Sequence, residues 1–245
     1  MVTEFSHRFS QFSVICGYNS TFTYPEGGAI QYINALAAGV DSENIRLNER
    51  VLDIDVETKV ARTTKGEIAF ERLVSSAPFI SLLNMAKQEY DPSFYSYNQV
   101  LVFNLGFDRK GQENVHWIYF ADTALVFYRV GFYDNIFKTD RMSLYVEIGA
   151  ATEETLDVEA SLAQVLHDLK TCGVVDEHQL VSHHSVVLDP GYVHITQDSM
   201  NDLARWRDVL ATRGVYSLGR YGGWTYCSIE DNIVEARNLA GTLSP

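Results

Sequence analysis

One segment near the end of the chain combines glycines, an arginine and a helix start at a spacing suited to a large anion. A short apolar strand, predicted at Val215–Leu218, leads into the turn GRYGGWTY and then into a predicted helix. Glycines let a ligand approach the backbone closely, and the first turn of a helix offers unpaired N–H groups and a positive dipole end. Arg220, at the tip of the strand, could hold a phosphate through its fork of N–H donors. The segment fits a loop that closes over a large anionic cofactor, although an ordinary strand–turn–helix connector has the same spacing.

A second candidate for anion binding is Arg129, which lies in a predicted strand between Tyr128 and Val130. An arginine inside an aromatic strand is either half of a buried ion pair or a clamp for an anion. The residues around it leave both interpretations open.

The amino-acid composition limits the kinds of partner that the chain can bind and the kinds of site that it can form. The chain has 245 residues, 46% of them hydrophobic, and a formal net charge of −13. We expect a packed globule whose negative field repels nucleic acid and anionic lipid, so an anionic substrate needs locally placed arginines. The seven histidines show no metal-ligand spacing, so no metal site is expected.

The same sequence carries no signal for a membrane or a secretory route. No run of about 18 apolar residues predicts a membrane span, and the first residues lack the pattern of a signal peptide. The three cysteines, Cys16, Cys172 and Cys227, are odd in number and far apart, which is typical of reduced thiols. These features predict a cytoplasmic protein.

The elements that must position the two arginines follow from the apolar pattern. Helices are predicted at Ala29–Ala38, Ile80–Gln88, Val158–Cys172, Met200–Thr212 and Glu230–Leu239. Strands are predicted at Thr21–Gly28, Ile45–Leu47, Val51–Val56, Val60–Thr64, Glu67–Phe70, Leu73–Ser76, Gln99–Gly106, Val115–Phe120, Leu125–Phe132, Ser143–Gly149, Leu180–Leu188 and Val215–Leu218. The four strands between residues 99 and 149 fit an antiparallel meander. This order predicts an α+β fold with a mixed, largely antiparallel sheet and flanking helices.

A dinucleotide-binding signature is missing from this pattern. Such folds begin with a strand, G-x-G-x-x-G and a helix, whereas the pairs Gly27-Gly28 and Gly222-Gly223 have other spacings. We therefore expect the carboxyl-terminal portion of a larger α/β-type fold, without its amino-terminal Rossmann βαβ unit.

Several segments together resemble the flavin-dependent UDP-galactopyranose mutases, a branch of the amine-oxidase and protoporphyrinogen-oxidase superfamily. The segments follow the order of that family and are YNSTFTYPEGG (18–28), VLDIDVETKVARTTKGE with FERLVSSAP (51–78), HWIYF (116–120), FYRVGFY (127–133), DPGY (189–192) and the GRYGGWTY turn with its helix. The resemblance implies FAD as the cofactor of the complete enzyme.

The resemblance also implies roles for individual residues. The residues that it places at the FAD are Arg50, Val51, Ser76, Ala77, Pro78, Gly219, Arg220, Gly222, Gly223, Trp224, Asp231 and Asn232. The residues that it places at the diphosphate of a UDP-sugar are Arg129, Tyr119, Tyr192, Tyr226 and Arg220. This set suits a diphosphate because arginine donates bidentately and phenols add neutral donors on rigid apolar bodies.

By the same resemblance the chain has four parts. These are a lead-in at 1–20, part of an FAD-binding domain at 21–96, an antiparallel-sheet substrate domain at 97–195 and a strand–turn–helix that covers the FAD at 196–245. Because the Rossmann unit is missing, we expect this chain alone to lack FAD and activity, and we assign it no catalytic residue. The expected partners are a UDP-sugar and either further copies of the chain or the missing amino-terminal half.

The leading hypothesis is the carboxyl-terminal part of a mutase-like enzyme that interconverts UDP-galactopyranose and UDP-galactofuranose for cell-surface polysaccharide, including lipopolysaccharide. One alternative is an amine-oxidase or protoporphyrinogen-oxidase-like oxidoreductase, in which Arg129 and the tyrosines only pack. The other is a non-catalytic fragment for nucleotide-sugar binding or assembly.

Overall fold

The computed structural model describes residues 22–243 and divides the chain into two units, residues 1–46 and 47–245. The described part of the first unit contains helix α1 (Ile30–Ala37) and a 3-10 turn at Ser42–Asn44. The strand predicted from Thr21 to Gly28 is absent from residues 22–28, where Gly28 N–H donates to the carbonyl of Pro25 at 3.0 Å and closes a turn. The strand predicted at Ile45–Leu47 is also absent, since these residues belong to none of the described sheets. The predicted lead-in at 1–20 lies outside the described residues.

The second unit contains the remaining helices and strands of the described chain. Its strands are β1 (Val51–Asp55), β2 (Val60–Thr63), β3 (Gly66–Ala69), β4 (Leu73–Ser75), β5 (Asn98–Phe107), β6 (Trp117–Tyr119), β7 (Arg129–Phe132), β8 (Ser143–Ala151), β9 (Leu180–Leu188) and β10 (Val215–Ser217). Its helices are α2 (Phe79–Met85), α3 (Tyr133–Phe137), α4 (Val158–Thr171), α5 (Gln197–Thr212), α6 (Gly219–Gly222) and α7 (Ile229–Leu243), with a 3-10 turn at Pro92–Phe94. The mixed α+β class predicted from the sequence is confirmed.

The largest sheet is antiparallel, in the order β6-β7-β8-β5-β9. The predicted meander holds for β6, β7 and β8 but is wrong for β5, which pairs with β8 on one edge and with β9 on the other. Strand length explains this order. The ten residues of β5 match the nine of β8 and the nine of β9, whereas β6 has only three.

One face of this sheet forms the larger hydrophobic core. Alternate residues of β5 are buried together with those of β7 and β8, and the stripe of α4 packs against them. The residues of β5 in this core are Leu101, Phe103, Leu105 and Phe107, and those of α4 are Leu162, Val165 and Leu169. Because side chains alternate along a strand, the intervening residues point to the opposite face, which we call the free face.

A second core lies beneath the carboxyl-terminal elements. It includes Trp206 and Leu210 of α5, Tyr95, and Trp224 just after α6. The Tyr95 and Trp224 rings meet edge to face with centroids 5.1 Å apart. This core supports a parallel pair of strands, β4 and β10, whose carboxyl ends lead to α2 and α6.

Candidate functional site

The strand pairing of the large sheet places two predicted residues, Tyr119 and Arg129, in one row with Glu147 on the free face. Tyr119 of β6 lies opposite Arg129 of β7, and Arg129 lies opposite Glu147 of β8. Residues directly opposite each other in an antiparallel pair have Cβ atoms about 5 Å apart, so their side chains interact.

The Arg129 guanidinium is held by three oxygen acceptors. Nη1 donates to the Tyr119 hydroxyl at 3.0 Å, and Nη2 donates to the Tyr192 hydroxyl at 3.4 Å and to a carboxylate oxygen of Glu147. Burial by itself lowers the pKa of Arg129, but the hydrogen bonds that Arg129 donates to Glu147 and Tyr119 outweigh it and raise that pKa. Arg129 is therefore a fixed cation at any physiological pH.

The partner that sequence reasoning missed is Glu147. It is 7% exposed, and its second carboxylate oxygen accepts a hydrogen bond from the Tyr128 hydroxyl. Burial, followed by the hydrogen bond to Glu147, raises the pKa of Tyr128, so its phenol stays protonated. A signal was present in the sequence, since Glu147 shares the polar alternation of β8 with Ser143 and Tyr145. Of the two interpretations left open for Arg129, the ion pair is therefore present.

Aromatic rings surround the same guanidinium. Its central carbon lies 5.6 Å from the ring centroid of Tyr119 and 5.7 Å from that of Tyr145, distances typical of cation–π contact. Gly131 makes room for this arrangement, because a Cβ at that position would overlap the Tyr145 ring.

The second arginine joins this cluster through Tyr192. The Arg220 guanidinium lies over the rings of Tyr192 and Tyr226, at 5.1 and 4.6 Å from their centroids, and the two rings are nearly parallel. Because Tyr192 contacts both arginines, all five residues predicted for diphosphate binding form one group, which we call the guanidinium–phenol cluster. Tyr119 is 62% exposed and Tyr226 is 69% exposed, so the cluster opens to solvent at these rings.

Charge is distributed unevenly within the guanidinium–phenol cluster. Glu147 offsets the charge of Arg129, whereas Arg220 forms no ion pair with any residue in the range 22–243. Arg220 Nη1 donates to the carbonyl of Cys227 at 3.3 Å. Arg220 therefore supplies the uncompensated positive charge of the cluster.

The glycine-rich segment is held in place by its own chain. It begins as the short helix α6 rather than as an open turn, and Gly219 has a φ of +84°, which favours glycine. A Cβ at Gly222 would lie 3.0 Å from the Ser75 carbonyl oxygen, and one at Gly223 would lie 2.8 Å from the Gly219 carbonyl oxygen. Gly222, Gly223 and Trp224 are buried, so the close approach served by these glycines is to protein backbone. A cofactor contact at these three residues stays a prediction.

Other predicted cofactor residues gather at the carboxyl ends of the parallel strands β4 and β10. Ser217 pairs with Ser75, so Gly219 and Ser76 follow the same edge of the pair. Ligands of open α/β sheets bind outside the carboxyl ends of such strands. Ser76 is exposed, and Ala77 and Pro78 are half-buried. Gly219 N–H already donates to a carboxylate oxygen of Glu235 at 2.8 Å and Ala77 N–H to the Ser75 hydroxyl at 3.3 Å, so exposed Ser76 is the residue here that suits a phosphate-bearing cofactor.

The remaining predicted cofactor residues lie at two helix and strand starts. Arg50 and Val51, where β1 begins, are exposed. At the start of α7, Asp231 accepts hydrogen bonds from Ser228 through both the backbone N–H and the hydroxyl, each at 2.8 Å. Asn232 donates to the Ser228 carbonyl at 2.8 Å. A contact of these residues with FAD stays a prediction, while Ser228 and Asp231 cap the start of α7 through their mutual hydrogen bonds.

A metal site and a membrane-spanning helix are both absent from the described range. Among residues 22–243, no three His, Cys, Asp or Glu side chains group closely enough to hold a metal ion. In the same range, none of the helices has both the length and the apolar character that crossing a bilayer requires.

The chain is similar to one known protein family and to several solved structures. A family model described as flavin containing amine oxidoreductase matches residues 4–241. Among solved structures, a reduced UDP-galactopyranose mutase superimposes with a TM-score of 0.80 and 22% identity, over 89% of this chain and 51% of that chain. No curated protein sequence matches.

Two further solved structures share the fold. One, named for protoporphyrinogen oxidase and from Exiguobacterium sp. 255-15, has a TM-score of 0.71 and 15% identity over 92% of this chain and 54% of that chain. The other, a CLA-producing fatty acid isomerase from P. acnes, has a TM-score of 0.63 and 15% identity over 89% of this chain and 52% of that chain. The chain thus spans about half the length of these structures, and at such identities the likeness shows the fold alone.

Proposed function

This chain belongs to the family of flavin containing amine oxidoreductases, and on that premise we propose that it is part of an FAD-dependent enzyme resembling UDP-galactopyranose mutase. The enzyme would interconvert UDP-galactopyranose and UDP-galactofuranose. The observation that carries the proposal is the guanidinium–phenol cluster, in which Tyr192 contacts both Arg129 and Arg220 on an open face of the protein. A diphosphate requires such charge-assisted donors from more than one direction.

The two arginines take different parts in the proposed binding. Arg220, whose charge has no carboxylate partner within residues 22–243, attracts the diphosphate electrostatically. Arg129, held between Glu147 and Tyr119, supplies donors whose direction is fixed before the ligand arrives. Preorganised donors stabilise developing charge without reorganising during the reaction.

When bound, reduced FAD supplies the nucleophile that lets the sugar ring open and reclose without net redox change. Exposed Ser76, just beyond the end of β4, would donate to its phosphates. The chain's own contribution to the reaction is to orient the sugar nucleotide and stabilise its departing diphosphate. The phenols of Tyr119, Tyr192 and Tyr226 would donate to the phosphate oxygens that the arginines leave free.

Titration calorimetry with UDP tests this function directly. We expect UDP to bind, and Arg220→Met to weaken binding by roughly 10- to 100-fold because a charged hydrogen-bond donor is lost. Arg141→Met, which removes an exposed arginine outside the cluster, is the matched control and should bind UDP like the wild type. UDP binding that Arg220→Met leaves unchanged would exclude the cluster as the diphosphate site.

A kinetic test addresses Arg129 in the complete enzyme. Arg129→Ala should cost about 2–4 kcal/mol of transition-state stabilisation, by analogy with the loss of other oxyanion donors. The measurement is kcat/KM for the interconversion. Kinetics identical to the wild type would remove the role assigned to Arg129.

One observation favours a second function, an oxidase of the same family. The ion pair with Glu147 already compensates the charge of Arg129, so this arginine could serve packing alone. An oxidase has no reason to bind UDP, and UDP would then leave the tryptophan emission unchanged. Quenching of that emission by UDP supports the mutase-like function instead.

A further inference from the structure

Tyr192 connects the two arginines of the guanidinium–phenol cluster, yet it lies outside the strands and helices of the fold. It follows β9 in the segment 189–194, where the described strand-like pairing is a single bridge between Val193 and Tyr97. A continuous strand ladder therefore does not set the direction of the Tyr192 side chain, and individual contacts must do so.

Asn98, the first residue of β5, binds the main chain of this segment at three points. Its N–H donates to the Tyr192 carbonyl at 3.0 Å, and its carbonyl accepts from the Gly191 N–H at 2.7 Å. The third contact is made by its side chain, whose Oδ1 accepts from the Tyr192 N–H at 2.7 Å. Almost any residue could make the first two contacts, whereas the third requires an acceptor on a short side chain.

The peptide group between Gly191 and Tyr192 is held from both sides. Its N–H donates to Asn98, and its carbonyl accepts a hydrogen bond from the Tyr221 hydroxyl at 3.2 Å. A Cβ at Gly191 would lie 2.6 Å from Val100 Cγ2 and 3.0 Å from the Val100 nitrogen, so the segment lies directly against β5. Because a peptide group is planar, holding both of its polar atoms fixes the backbone orientation from which the Tyr192 side chain projects.

We propose that Asn98 is a positioning residue of the guanidinium–phenol cluster and acts through the Tyr192 N–H. The Tyr192 hydroxyl lies 3.4 Å from Arg129 Nη2, and the Arg220 guanidinium lies 5.1 Å from the centroid of the same ring. A rotation of the Tyr192 backbone therefore displaces both contacts at once. The use of this positioning to hold a diphosphate rests on the proposed function, whereas the positioning itself can be measured without a ligand.

Fluorine NMR of protein labelled with 3-fluorotyrosine tests the positioning directly. The Tyr192 resonance is identified as the one that is missing from Tyr192→Phe. We expect Asn98→Ala to move this resonance by more than its line width, because the ring shifts relative to the Arg220 guanidinium and the nearly parallel Tyr226 ring. Asn104→Ala removes the same side chain from another half-buried position of β5 and should leave the resonance in place.

A conservative variant separates positioning from a general loss of packing. Asn98→Asp keeps an acceptor on a side chain of the same length and should return the Tyr192 resonance close to its wild-type position. Circular dichroism checks that each variant is folded. If Asn98→Ala does not fold, Asn98→Gln takes its place, because it displaces the acceptor by one methylene and should also move the resonance. A resonance that stays in place in the folded Ala or Gln variant, or that moves as far in Asn98→Asp, overturns the proposal.

Titration calorimetry with UDP connects the positioning to the proposed function. Asn98→Ala should weaken UDP binding by roughly 3- to 10-fold. The loss should be smaller in a protein that already carries Tyr192→Phe, because the hydroxyl that Asn98 positions is then missing. An equal loss with and without Tyr192→Phe would show that Asn98 does not act through this hydroxyl. A wild type that does not bind UDP refutes the proposed function but not the positioning, which the fluorine spectra decide.

Discussion

At the residue scale, Glu147 decides how Arg129 behaves. A guanidinium whose side chain is only 22% exposed needs a compensating charge, and Glu147 provides it from the next strand. The same carboxylate accepts from Tyr128, so one acidic residue orders Arg129 of the guanidinium–phenol cluster and the phenol next to it in sequence.

We predict that Glu147→Gln destabilises the fold by about 2–4 kcal/mol, because it leaves the charge of Arg129 buried and uncompensated. Urea unfolding gives the free energy. Glu57→Gln is the matched control, since Glu57 is 71% exposed in its ion pair with Arg213 and the change should cost less than about 1 kcal/mol. Equal losses in the two variants would show that the Arg129 pair contributes no more than a surface pair.

From the burial of the Tyr145 phenol we predict that the folded protein loses stability at alkaline pH. Burial raises its pKa to about 12 from an ordinary value of 10.0, although Arg129 opposes the rise. The neutral phenol thus makes its full contribution to the free energy of unfolding below pH 10. That contribution is lost as the pH rises from 10 to about 12, because the phenol ionises more readily in the unfolded chain than in the folded one.

Between about pH 9 and pH 11, the wild type should therefore lose roughly 1–2 kcal/mol more unfolding free energy than Tyr145→Phe. Tyr226→Phe removes a phenol that is 69% exposed and should follow the wild type. If Tyr145→Phe lost as much stability as the wild type over this interval, burial of Tyr145 would have no measurable linkage to pH.

At the element scale, the lack of a side chain at Gly131 of β7 sets the geometry of the guanidinium–phenol cluster. Gly131 lies directly opposite Tyr145 of β8, and the ring of Tyr145 lies across it toward Arg129. A strand with a larger residue at this position would displace that ring from the guanidinium.

Gly131→Ala should cost about 1–3 kcal/mol and lower UDP affinity, because the new methyl overlaps the Tyr145 ring. Gly149→Ala tests the same exchange in β8, where the nearest atom to an added Cβ lies at 3.8 Å, and should have little effect. Thermal unfolding and UDP titration of both variants measure the difference. Similar behaviour of the two alanine variants would refute the spacing role of Gly131.

At the scale of the whole molecule, the two units differ in what stabilises them. Unit 47–245 contains both hydrophobic cores, whereas α1 in the first unit buries none of its residues. A helix of eight residues without burial is only marginally stable in water.

Among residues 22–243, limited chymotrypsin digestion should therefore cut first within 22–46, at Tyr32 or Leu36, and leave a fragment that retains its β-sheet signal. Tyr119 is an internal control, because it is more exposed than Tyr32 (62% against 41%) but is paired within the large sheet. Mass spectrometry identifies the first cut. Cleavage at Tyr119 before Tyr32 would mean that exposure, rather than local stability, governs proteolysis here.

The sequence by itself determined the elements whose side chains repeat with a clear period. The alternation of β5 and β8 and the stripe of α4 were predicted to within a few residues, because burial of one face imposes periods of two and 3.6 locally. Both arginines could also be identified as candidates from the sequence, because a cation among aromatic and apolar residues is unusual.

Only the tertiary structure decided which residues meet. The partner of Arg129 is 18 positions away, its second phenol is 63 positions away, and β5 lies between β8 and β9 rather than beside β6. Register and strand order depend on contacts between distant segments, and local periodicity carries no information about them. For the same reason Gly222 and Gly223, whose spacing suggested a ligand, lie against the chain's own backbone.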